Sequence, residues 1–98
     1  MEPILEFSAD IWRHSNGRWV MLTVPEDESE DIRELAPHFG GFGSVRVRVT
    51  IGESQWKTSV FPQSNGGSFV LPMKKQIRTK EKVDVGDTVD VELALILD

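Results

Sequence analysis

The sequence predicts an all-β fold, a small barrel or two-sheet sandwich, and three observations carry that prediction. Apolar and polar residues alternate at period two over several runs. Asn-Gly and Gly-Gly turns punctuate the chain. Runs with helical period are few. The connections are short enough for hairpins, so the pairing is expected to be mostly antiparallel.

Leu5, Phe7, Ala9 and Ile11 alternate with Glu6, Ser8 and Asp10, which reads as a strand with one buried face. Ser15-Asn16-Gly17 follows, and Asn-Gly between two apolar runs is a strong hairpin signal. The return strand is read from Arg18 to Val24, continuously apolar, as for a barrel wall. After Pro25 the period changes. Ile32, Leu35, Ala36 and Phe39 form one helical stripe, with Glu26, Asp27, Glu28, Glu30 and Asp31 in the first turns, where the helix dipole favours negative charge. Pro37 and Gly40-Gly41 stop that helix.

Val45, Val47, Val49 and Ile51 alternate with Arg46, Arg48 and Thr50, the clearest strand in the chain. Gly52-Glu53 turns it into a strand from Gln55 to Phe61, closed by Pro62. Ser64-Asn65-Gly66-Gly67 is a second tight turn, leading to a short strand from Ser68 to Leu71. Pro72 favours a helix start, and Met73 to Thr79 reads as two helical turns. Val85-Gly86-Asp87 is a turn, and Val89, Val91, Leu93, Leu95 and Leu97 alternate with Asp90, Glu92 and Ala94 as a last strand.

At 98 residues the chain holds one domain, 1–98, since two independent cores do not fit. Without cysteine, disulfides, thiolate metal sites and cysteine catalysis are excluded. No apolar run suits a membrane-spanning helix, and Met1-Glu2-Pro3-Ile4 does not begin a signal peptide, so the expected compartment is the cytosol. The net charge of −5 disfavours sequence-blind nucleic-acid binding, which runs on phosphate neutralisation.

The order strand, proline, helix with Ile-Arg, glycine and Val-x-Val strand occurs twice. The first pass holds Pro25, Ile32-Arg33, Gly43 and Val45/Val47; the second holds Pro72, Ile77-Arg78, Gly86 and Val89/Val91. Two such halves packed about a pseudo-two-fold axis would each complete the other's core.

The run from Trp56 to Pro62, the run from Gly67 to Arg78, Val85-Gly86-Asp87-Thr88-Val89 and Gly41-Phe42-Gly43-Ser44-Val45 together resemble the bacterial domain-of-unknown-function family 1905 over essentially the whole chain. The resemblance implies a six- to seven-stranded double-split β-barrel with one short α-helix and one helical turn. That architecture is shared with transition-state-regulator and antitoxin DNA-binding domains, where one unit dimerises; here two units would lie in one chain. The family has no assigned activity, so the resemblance supplies a fold and no chemistry.

Several residue sets are candidate sites. His14 and His38 have no cysteine or convergent carboxylate set, and read as surface histidines with no metal. Gly40-Gly41-Phe42-Gly43 leads into a strand rather than a helix, so it reads as turn glycines and not a phosphate loop. Ser44 and Ser59 lack a nucleophile context, and no catalytic residue is assigned. Trp12, Trp19 and Trp56 read as core, with Trp56 the least firmly so, because Lys57 and the Gly52-Glu53 turn adjoin it.

Charge is segregated. Residues 26–34 hold six carboxylates against Arg33, a local charge of −5. Residues 74–82 hold Lys74, Lys75, Arg78, Lys80 and Lys82 against Glu81, a local charge of +4. Lysines in the first turn of a helix oppose its dipole, which points to a partner. The candidate site is therefore an anion pocket: backbone N–H groups of residues 73–75, Lys74, Lys75 and Arg78, with Thr58 and Ser59 as hydroxyl donors and Trp56 nearby. The competing reading has water around the lysines and Arg78 paired with a carboxylate.

The function expected is a non-enzymatic binding or interaction module for a small anion or acidic partner, with no cofactor, as a monomer or weak dimer. A nucleic-acid-binding regulator is the alternative by architectural analogy, and a small enzyme is third.

Overall fold

The computed structural model describes residues 2–36, 43–63 and 67–97. Eight elements follow in chain order: β1 (Ile4–Arg13), β2 (Val20–Thr23), α1 (Glu26–Leu35), β3 (Val45–Ile51), β4 (Ser54–Pro62), β5 (Phe69–Pro72), α2 (Lys75–Glu81) and β6 (Thr88–Leu95). The strands close into a barrel in the order β1-β2-β5-β4-β3-β6, with every pairing antiparallel. No helix among the described residues is long and apolar enough to cross a membrane.

Two strands are shared between sheets. Residues 4–10 of β1 pair with β6, and residues 11–13 pair with β2. Residues 54–60 of β4 pair with β3, and residues 61–62 pair with β5. Exchanging β1, β2, β3 with β4, β5, β6 leaves the set of neighbours unchanged. The repeat in the sequence is thus a two-fold repeat of topology. The pairs β2–β5 and β3–β6 map onto themselves, with Leu22 opposite Leu71 and Val49 opposite Leu93 at their centres.

Period two decides what fills the barrel. Leu22, Val24, Val47, Val49, Val60, Leu71, Leu93 and Leu95 are completely buried. Each such side chain contributes about 1.5–3 kcal/mol by leaving water. Leu5, Phe7, Ala9 and Trp56 pack against this cluster without being fully covered.

The helices differ in detail from expectation. α1 buries Ser29 and Ile32, and Ala36 follows as its C-cap. Leu35 is 43% exposed, a correction to the expected stripe. At 100° per residue it falls beyond the arc spanned by Ser29, Ile32 and Ala36. Phe39, His38, the Gly40-Gly41-Phe42 run and the turn at residues 64–66 lie outside the described residues. α2 begins at Lys75 rather than Met73. Met73 N–H donates to Val20 O at 2.8 Å, which prolongs the β2–β5 contact and delays the helix by two residues. Lys82 ends α2 in the left-handed region, and its N–H reaches Thr79 O at 3.3 Å.

Candidate functional site

The outer face of the β2–β5–β4 sheet is apolar, as a surface seldom is. Val20, Leu22 and Val24 face inward, so Met21 faces outward, opposite Pro72. Val60 faces inward, so Phe61 faces outward, opposite Val70. Trp12 lies opposite Met21 on the same face, with its indole N–H donating to Thr23 Oγ1 at 2.9 Å. Trp19 stands just before β2, where its carbonyl accepts the His14 N–H at 2.8 Å and closes the hairpin. Trp19 is 52% exposed and Phe61 44%. The expectation of Trp12 and Trp19 in the core is therefore corrected, Trp12 lying half-buried on the outer face and Trp19 exposed. The strand is not uniformly apolar on two buried faces; it alternates, and Trp19 falls on the outward parity.

Two adjoining clefts meet at Trp19 and Pro72. One, of about 360 Å³, runs from Arg18 and Trp19 across Pro72 to Lys74, Lys75 and Arg78. The other, of about 380 Å³, is lined by His14, Asn16, Trp19, Met21, Phe61 and Pro72. Together they make an aromatic floor with cations at one end.

The structure brings only part of the expected anion site together. Lys74, Lys75 and Arg78 share the first cleft, and Arg18 joins them, a residue the sequence reading did not single out. Arg78 is committed elsewhere: its Nε donates to Met73 O at 3.3 Å and its NH1 meets the Asp84 carboxylate at 3.1 Å. The expected Met73 donor is occupied by Val20 O. Lys74 caps α2 and its carbonyl accepts from Ile77 and Arg78, each at 3.1 Å. Arg18, Lys74 and Lys75 have no ion-pair partner among the described residues.

Thr58, Ser59 and Trp56 do not line the cleft. Thr58 pairs with Val47 and Ser59 with Arg46, within the β3–β4 ladder. β4 reaches β5 only at Phe61 and Pro62. Consecutive strand residues also point to opposite faces, so the two hydroxyls cannot serve one ligand. Trp56 lies opposite Val49 and packs against the core, with an indole N–H that has no partner among the described residues.

Asp84 tunes the corner beneath α2. Its carboxylate accepts the Val85 N–H at 2.8 Å as well as Arg78. The Val85 bond first, then the Arg78 guanidinium, holds its pKa below the ordinary value.

A third cleft, of about 440 Å³, lies over β1 and β6 and is lined by Glu6, Ser8, Thr50, Asp90 and Glu92. Glu6 lies directly opposite Glu92, and the Ser8 hydroxyl donates to Asp90 at 2.5 Å. Among the described residues no cluster of three or more His, Asp or Glu is arranged to hold a metal ion.

Comparison with curated proteins returns no match. The family model described as a domain of unknown function (DUF1905) matches residues 7–93, from the inward Phe7 of β1 to Leu93 at the β3–β6 seam. The repeat, the closed barrel and this match over most of its length agree: the chain belongs to the DUF1905 family.

Proposed function

We propose that the protein is a non-enzymatic binding module, and that its ligand carries negative charge and an apolar part. The observation that supports this reading is the juxtaposition of Arg18, Lys74 and Lys75 with the exposed Trp19 ring at the junction of two clefts. Cations and aromatics hold a ligand; they do not by themselves activate a nucleophile or move a proton. An exposed indole beside cations that have no ion-pair partner among the described residues leaves both apolar surface and charge available to a partner.

The test is an NMR titration with inorganic phosphate, sulfate and small carboxylates. Saturable amide shifts at residues 18–20 and 73–78, removed by Lys74→Ala with Lys75→Ala, are the expected result. Shifts that are absent, or spread equally to Lys57, Lys80 and Lys82, overturn the reading.

A further inference from the structure

Resting on that reading, we infer that the ligand is a protein: a short acidic segment whose apolar anchor seats on Trp19 while its carboxylates meet Arg18, Lys74 and Lys75. The chemistry of the face selects this occupant. Trp, Phe, Met and Arg are the residue types enriched where proteins meet, and here Trp19, Phe61, Met21 and Arg18 share one surface. The aromatic part lies toward the middle and the cations at one end, which is the arrangement of an anchor with a steering rim.

A nucleic-acid strand fits less well. It carries a charge on every nucleotide, and three cations at one end of the groove would neutralise only a few of them. The far end is lined by His14, Asn16 and Phe61, and the chain as a whole has a net charge of −5. The peptide is also held by its side chains rather than its backbone. β2 and β5, the strands beneath the two clefts, each have a neighbour on both sides, so neither is an edge strand that an extended peptide could extend.

The test begins with selection of random dodecapeptides displayed on phage, against the full chain and against Trp19→Ala. The wild type is expected to enrich peptides rich in Asp and Glu around one aromatic or large aliphatic residue, and Trp19→Ala is not. A synthetic copy of an enriched peptide is then titrated. Trp19→Ala is expected to weaken it by about tenfold or more, and Trp19→Phe to restore part of that loss. Lys74→Glu with Lys75→Glu is expected to weaken it by about tenfold, with reduced sensitivity to salt, while Lys80→Glu with Lys82→Glu changes it by less than about twofold.

No enrichment, or enrichment without acidic residues, overturns the inference. So does tighter binding of a ten-nucleotide oligothymidylate, or self-association that Trp19→Ala abolishes. If phosphate shifts the amides of the cleft but no peptide binds, the binding-module reading stands and the acidic segment falls. If neither occurs, both fall.

Discussion

The hydroxyl of Ser29 accepts a hydrogen bond from the backbone N–H of Phe69 at 3.0 Å, across 40 residues of chain. The same hydroxyl donates to Val24 O at 3.1 Å. One buried side chain of α1 thereby ties the end of β2 to the start of β5. It also completes a backbone donor that would otherwise be orphaned in the core.

Ser29→Ala leaves the Phe69 N–H buried and unpaired, so the variant should be less stable by about 1–3 kcal/mol. Urea unfolding at pH 7 checks this. An unfolding free energy unchanged within about 0.5 kcal/mol would mean that the bond does not hold the helix to the barrel.

Gly52 turns β3 into β4 at φ +57°, and a Cβ there would collide with Glu81 Oε1. That carboxylate accepts the Ser54 hydroxyl at 2.5 Å and so fastens the end of α2 to the turn. Gly52→Ala should therefore cost more than the roughly 1–2 kcal/mol of the left-handed backbone alone. Adding Glu81→Ala should relieve the excess, because the clashing group is then gone. Strict additivity in the double-mutant cycle would count against the contact.

Acid should weaken the Asp84 corner. Its folded pKa is depressed, so the unfolded state binds the proton more readily. The contribution is present above the ordinary carboxylate value and is lost as pH falls through the lower, folded value. Asp84→Asn should flatten the stability profile below about pH 4, and Arg78→Ala should flatten it by less, because the Val85 N–H still holds the carboxylate. Thermal melts from pH 7 down to pH 2 read this directly. An unaltered profile for Asp84→Asn is the contrary result.

In solution the chain should be a monomer or at most a weak dimer. All six strands of the barrel come from one copy, and every strand has two neighbours. Light scattering at micromolar concentration should give the 11.1 kDa of one chain. A persistent species of twice that mass would show that the closed barrel hides a strong interface.

Random duplex DNA should not bind appreciably at about 150 mM salt. The cations are few and local, and the overall charge is −5. A gel shift at low micromolar protein that weakens steeply with salt would favour a regulator instead.

The fold was legible because it rests on alternation. Val45 to Ile51 could be nothing but a half-buried strand, and the two Pro-helix-Gly units gave the topological repeat. The same rule also held what the reading missed. Alternation places Trp19 outside if Val20, Leu22 and Val24 are inside, yet a run of apolar residues conceals its own parity. It also sets Thr58 and Ser59 on opposite faces, which removes them from one shared site. Arg18 was not legible as a partner of Lys74, since that proximity depends on β2 lying beside β5, a pairing between strands far apart in the chain. The pairing of Arg78 with Asp84 depends likewise on how the chain folds back after α2.

The two-fold topology has a consequence for valency. In the other half of the chain, the place of Trp19, just before the strand, is held by Ser68. The places of Lys74 and Lys75, the N-cap and the first residue of α2, are held at α1 by Pro25 and Glu26. A barrel built twice over thus offers its cationic aromatic face once. A ligand with two identical ends would find one foothold per molecule, and the protein could decorate such a partner but not bridge two of them.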